Sequence, residues 1–167
     1  NSILIHPGVS KLSVEKGCIK TITPEIWAQT IDLLVSKGKK VLLVGGPDDK
    51  ECIETILKTV RTKDFENLYG TTKSLKDLAE LISSTEKFLC SDSAPLHVAV
   101  ALGIKTYPIF GPTDVKALIP DNDNVIPIMT NDNCPLKPCL WARRQTTCEN
   151  LDCLKITAEK IADTVCK

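Results

Sequence analysis

Apolar positions in this chain fall into two alternating kinds of segment. Short continuous runs at residues 2–6 (SILIH), 40–44 (KVLLV), 87–90 (KFLC) and 106–110 (TYPIF) read as strands covered on both faces. Shorter β-rich runs at 67–69 and 125–129 predict two more. Between them, apolar residues recur at helical spacing. Ile26, Trp27, Ile31, Leu33 and Leu34 form one stripe, opened by Thr23-Pro24-Glu25 and closed at Lys37-Gly38. Ile53, Ile56, Leu57 and Val60 mark a helix over 48–60, and Leu75, Leu78, Ala79, Leu81 and Ile82 mark one over 74–84. A short helix follows Ser91-Asp92-Ser93-Ala94-Pro95 and ends at Gly103, and a closing helix over 157–166 turns Ile161 and Val165 inward. Residues 9–23 read as a polar loop.

Strict alternation of strand and helix predicts an α/β fold, a Rossmann-like doubly wound parallel sheet with right-handed crossovers. Ligands in such folds bind beyond the carboxyl ends of the strands, which directs attention to residues 7–23, 45–49, 70–74, 91–97 and 111–114. At 167 residues and 43% hydrophobic content, one packed domain over 1–167 is expected. It carries a Cys-rich segment at 134–153 ahead of the closing helix. The first residues read as a strand, which points to a natural N-terminus further upstream.

Charge narrows the partners. Lys+Arg and Asp+Glu are 21 each, which argues against nucleic acid. No apolar run approaches the roughly 20 residues of a membrane-spanning helix. The composition is that of an intracellular, cytoplasmic α/β domain rather than a disulfide-dependent miniprotein. GxxxxGK[ST], GxGxxG and GxSxG are all absent from the sequence, which disfavours P-loop, dinucleotide and α/β-hydrolase chemistry.

The segment richest in chemistry is Ser91-Asp92-Ser93-Ala94-Pro95-Leu96-His97. At a strand end leading into a helix, its N–H groups and Ser93 can hold a phosphate. Equally, Asp92 or Ser93 can simply cap the helix. Lys20 in the first long loop can neutralise a diphosphate or point to solvent. Asp48 and Asp49 can accept from ribose hydroxyls or cap the next helix. Eight cysteines include Cys134, Cys139, Cys148 and Cys153 within twenty residues. Apolar residues are sparse there (Leu136, Leu140, Trp141 and Leu151), so a cross-link would help fix its shape. A structural zinc site, disulfides and free thiols are the three alternatives.

Several segments, taken in order, resemble the C-terminal half of glycosyltransferase family 9, the ADP-heptose:lipopolysaccharide heptosyltransferases. They are Ile5-His6-Pro7-Gly8, Lys20 with Pro24-Glu25-x-Trp27-Ala28, Val44-Gly45-Gly46-Pro47 and Gly70-Thr71-Thr72-x-Ser74-Leu75. Ser91 to Gly103 and Phe110-Gly111-Pro112-Thr113 complete the set. The Cys-rich tail also resembles that of the branch adding the second heptose. The resemblance implies the donor-binding half of a GT-B enzyme that transfers heptose from ADP-heptose, or a similar nucleotide sugar, with inversion. It makes Lys20 the stabiliser of the leaving diphosphate, and Gly8, Asp92, Ser93, Ala94 and His97 its surroundings. Thr71 to Leu75 would approach the base or ribose. Asp48 would meet the ribose, with Asp49 and Glu51 as alternatives.

The general base and the glycolipid acceptor site would belong to an N-terminal half not in this chain, so little catalysis is expected from it alone. No cofactor is required in such a reaction, and the complete enzyme would work at the inner membrane without spanning it. Two departures stand out. Ala94 occupies a position where the family usually has Gly, and Lys20-Thr21-Ile22-Thr23-Pro24 replaces a Lys-Arg-Trp-Pro run. The rival readings are a non-catalytic nucleotide- or partner-binding module and another GT-B sugar-nucleotide enzyme such as an epimerase.

Overall fold

A computed structural model describes residues 1–119, 121–130, 134–139, 148 and 150–167. Five parallel strands form one sheet: β1 (Ser2–His6), β2 (Lys40–Leu43), β3 (Glu66–Asn67), β4 (Lys87–Ser91) and β5 (Lys105–Ile109). Their order is β3-β2-β1-β4-β5. The chain therefore builds outward from β1 in one direction and then, from β4, in the other. The crevice between the carboxyl ends of β1 and β4 is the switch point at which such sheets bind ligands.

Seven helices are described: α1 (Lys11–Glu15), α2 (Pro24–Ser36), α3 (Lys50–Thr59), α4 (Leu75–Ser83), α5 (Ala94–Ala101), α6 (Val115–Leu118) and α7 (Ala158–Cys166). Single 3-10 turns lie at Pro47–Asp49 and Asp152–Leu154. The strands' period of two splits the core into two layers. Ile3, Ile5, Leu43, Leu89 and Ile109 face α2, α3 and α7, where Trp27, Ile31, Leu34, Ile53, Ile56 and Ile161 are fully buried. Leu4, Phe88 and Cys90 face the other way, toward Ile82, Leu96, Ala99 and Phe110. Strands β1, β2, β4 and β5 thus bury both faces, which is why their sequences read as continuous apolar runs, whereas the short edge strand β3 is polar and exposed.

The structure departs from the pattern-based expectation in several places, among them the short helix α6 and the 3-10 turn at Asp152–Leu154, which the pattern does not predict. The loop at 9–23 contains α1, capped by Ser10, whose side chain accepts from the Ser13 N–H. Its Leu12 and Val14 are exposed, so it carries no core-facing stripe. The strand expected at 125–129 is reduced to isolated bridges, Thr106 to Val125 and Ile109 to Ile128. Within the helix expected over 48–60, the first residues form the 3-10 turn instead, and α3 begins at Lys50. Among the described residues, no helix is long and apolar enough to cross a membrane.

Candidate nucleotide site at the strand carboxyl ends

Lys20 and Asp92 meet at the switch point. Lys20 leaves the β1–α2 loop with its ammonium 3.6 Å from Asp92 Oδ2, and its side chain is 19% exposed. Asp92, one residue past β4, is buried and also accepts from the Thr113 hydroxyl at 2.8 Å. Its charge is thereby matched by one cation and one hydroxyl. The Lys20 contact is long, and an ammonium carries three donors, so it can still serve a phosphate oxygen.

Asp92 and Ser93 were the candidate caps of α5. Neither fills that role: Ser93 stands at the N-cap position without a side-chain cap bond, and its hydroxyl turns back to the Ser91 carbonyl at 3.4 Å. The start of α5 therefore has no side chain laid across it. Ala94 is its first residue and is exposed, and His97 is exposed one turn on.

A cavity of about 330 Å³ opens at the carboxyl ends of β1 and β2, lined by His6, Val44, Gly45, Gly46, Asp49, Thr72, Lys73, Ser74, Leu75 and Leu78. Its far wall is the start of α4. There a Ser74–Asp77 capping box fixes the helix end, each side chain accepting from the other residue's N–H. Hydrogen bonds from the Lys73 N–H and then Ser74 hold the Asp77 carboxyl below its ordinary range. Leu75 is 67% exposed at the rim and offers an apolar surface to a flat ligand. Thr71 does not line the cavity, and its hydroxyl donates to the Leu68 carbonyl at 2.8 Å.

The acid of this cavity is Asp49, not Asp48. The 3-10 turn at Pro47–Asp49 leaves Asp48 exposed, with Oδ2 accepting from the Lys11 N–H at 3.4 Å. Asp49 is buried. Its Oδ2 accepts from the Gly46 N–H at 2.8 Å and lies 3.4 Å from His6 Nε2. Among the described residues, His6 Nδ1 is buried without a hydrogen-bond partner. Asp49 also borders a larger groove of about 650 Å³ on the other side, lined in part by Gly8, Thr21, Asp48 and Glu51. His6 was legible only as part of the IHPG string, since neither its pairing with Asp49 nor its burial has a local sequence signal.

The cysteine segment packs against the β5 end of the same site. Cys139 N–H donates to the Pro112 carbonyl, and a side chain at Gly111 would lie 2.5 Å from Leu154 Cδ2. Cys134, Cys139, Cys148 and Cys153 all border one cavity of about 40 Å³. Among the described residues, no three His, Cys, Asp or Glu side chains gather as metal ligands. The small cavity brings the four residues to one place without drawing their ligand atoms onto one point. Cys134, Cys139 and Cys148 are free thiols. Leu140 and Trp141 lie outside the described residues.

Thiol reactivity is expected to follow burial. Burial, then Asp49 and Glu25, push the Cys52 thiol up to about 12. Burial and then Asp92 raise Cys90 as well. Both stay protonated at pH 8, and the thiolate is the reactive form. Titration with a disulfide reagent at pH 8 should therefore modify exposed Cys148 early, and Cys52 and Cys90 only after denaturation. Rapid native labelling of Cys52 or Cys90 would contradict this.

Comparison with known proteins agrees with the motifs. Residues 3–148 match glycosyltransferase family 9 (heptosyltransferase). Lipopolysaccharide heptosyltransferase 3 of Escherichia coli K12 is 34% identical over 102 residues, which are 60% of this chain and 29% of that protein. Lipooligosaccharide heptosyltransferase 2 of Campylobacter jejuni is 28% identical over 144 residues, 82% of this chain and 43% of that protein. The chain thus spans less than half the length of these relatives. The solved structure of Escherichia coli ADP-heptose lipopolysaccharide heptosyltransferase II superposes with a TM-score of 0.73 at 24% identity. It covers 97% of this chain and 44% of its own, and it shares the fold. The expected Rossmann-like parallel α/β sheet of the GT-B heptosyltransferases is the one observed, and the chain belongs to glycosyltransferase family 9, the heptosyltransferases.

Proposed function

We infer that this chain is the donor-binding half of an inverting heptosyltransferase that uses ADP-heptose and acts in the cytoplasm on a lipopolysaccharide core or a related glycan. The observation that carries this reading is that two features lie together on the carboxyl-end face of the sheet. One is the Lys20–Asp92 pair before the uncapped start of α5, and the other is the cavity of about 330 Å³ that ends in buried Asp49. The first suits a diphosphate and the second a nucleoside. Asp49 would accept from the ribose hydroxyls, and Leu75 would pack on the base. The superposing Escherichia coli enzyme is an ADP-heptose lipopolysaccharide heptosyltransferase, which favours adenine.

In the reaction, an acceptor hydroxyl oxygen attacks the anomeric carbon as the bond from that carbon to the diphosphate oxygen breaks. The nucleoside diphosphate leaves with the electron pair, and the hydroxyl proton goes to a base supplied by the N-terminal half. This chain's part is to hold the donor and meet the charge growing on the leaving group. Lys20 and the α5 N–H groups supply that stabilisation. The glycolipid acceptor is bound by the other half, so the chain alone binds nucleotide with little or no turnover.

A calorimetric panel of ADP, UDP and GDP against the 167-residue chain, with an NMR titration of its backbone amides, tests the reading. ADP should bind best, with amide shifts clustered on Gly8, Lys20, Asp49, Ser74 and Ser93. Shifts clustered elsewhere, or no binding of any nucleoside diphosphate at millimolar concentration, would overturn it.

A further inference from the structure

A small polar network lies directly beneath the Lys20–Asp92 pair. Thr21 Oγ1 is 2.8 Å from Ser91 Oγ, and each hydroxyl also reaches the Pro7 carbonyl, at 2.9 Å and 2.7 Å respectively. Trp27 Nε1–H, from fully buried Trp27 on α2, donates to Thr21 Oγ1 at 3.3 Å. The protons balance. One hydroxyl donates to Pro7 O, the other donates to its fellow hydroxyl, and the indole N–H fills a remaining lone pair on Thr21.

Three parts of the fold meet at this point: the two ends of the β1–α2 connection, the end of β4, and α2. Pro7 follows β1, Ser91 ends β4, Thr21 closes the long β1–α2 loop, and Trp27 anchors α2. Thr21 is the neighbour of Lys20, and Ser91 the neighbour of Asp92. The loop that carries Lys20 is long and includes exposed α1; buried Ile22 anchors its end in the core, and the Thr21–Ser91 contact ties the residue next to Lys20 to the end of β4.

We propose that Thr21 and Ser91 are positioning residues: a hydroxyl clasp across the switch point that sets the separation of Lys20 and Asp92, and through it the affinity for a diphosphate. The clasp touches no ligand and acts through Lys20. It rests on the reading of Lys20 as the diphosphate's partner.

Thr21→Val keeps the shape and removes the hydroxyl, while Thr21→Ser keeps the hydroxyl. Ser91→Ala removes the other half and leaves Trp27 its partner, so it serves if Thr21→Val does not fold. ADP and adenosine affinities are measured by titration calorimetry on the 167-residue chain, with Lys20→Ala alongside. Loss of the clasp should weaken ADP about tenfold, leave adenosine within about twofold, and add little once Lys20 is alanine. Thr21→Ser should restore ADP binding. Unchanged ADP affinity in Thr21→Val and Ser91→Ala would overturn the clasp, and so would equal weakening of ADP and adenosine, which would make the network merely structural. A different failure belongs to the underlying site: if Lys20→Ala itself leaves ADP affinity unchanged, the diphosphate lies elsewhere, and the clasp falls with it.

Discussion

Lys20→Ala is expected to lower the turnover of the complete enzyme by about 10²–10³-fold, the usual cost of removing one preorganised electrostatic contact at a developing charge. The expectation follows from where the ammonium sits. It is largely shielded from solvent, it is held beside the start of α5, and it keeps donors free of Asp92. A cation here gains energy as negative charge passes to the diphosphate, so kcat should fall more than donor KM rises. Removing it also leaves Asp92 buried without its cation, which threatens stability independently of catalysis. The double variant Lys20→Ala/Asp92→Asn separates the two effects. It should recover thermal stability while turnover stays low. Recovery of turnover in the double variant would show that Lys20 merely neutralises Asp92, and unchanged kinetics in Lys20→Ala would place the lysine outside the reaction.

How much of this was legible beforehand depends on whether a feature is local. The stripe from Ile26 to Leu34 and the run from Val41 to Val44 announce a helix and a doubly covered strand, because periodicity is a property of neighbouring residues. The sheet order is not local, and only the alternation hints at it. Lys20 and Asp92 could be singled out separately, by motif and by strand-end position, yet their contact spans seventy-two positions along the chain. The choice between Asp48 and Asp49 was beyond the sequence for a more specific reason. Two adjacent acids after Gly45-Gly46-Pro47 look alike until a 3-10 turn sends one outward and the next one in. Thr21 and Ser91 carry no signal at all as single hydroxyl residues, since their meaning comes from meeting where the β1–α2 loop passes the end of β4. Helix α1 was missed because its apolar residues point to solvent, so it lacks the stripe by which a packed helix is recognised.

Gly8→Ala is expected to be the most disruptive single-methyl change near the nucleoside cavity. A Cβ at Gly8 would lie 1.6 Å from Asp49 Oδ1 and 2.2 Å from its Cγ, far inside contact distance. Asp49 is short and buried, and it can retreat only by giving up the Gly46 N–H and moving away from His6. Overpacking of this kind costs about 1–3 kcal/mol, and the lost carboxylate hydrogen bond adds to it. The same displacement removes the acid proposed to receive the ribose, so ADP affinity should fall with stability. Truncating the obstacle gives the decisive comparison. In Gly8→Ala/Asp49→Ala the methyl group enters space the carboxylate has left, so the two substitutions should couple favourably, by about 0.5–3 kcal/mol in a double-mutant cycle. Urea denaturation should then show the double variant close to Asp49→Ala alone, while ADP binding stays weak because the acid is gone. Additive losses, or a Gly8→Ala variant as stable as the parent, would mean that Asp49 does not lodge against Gly8.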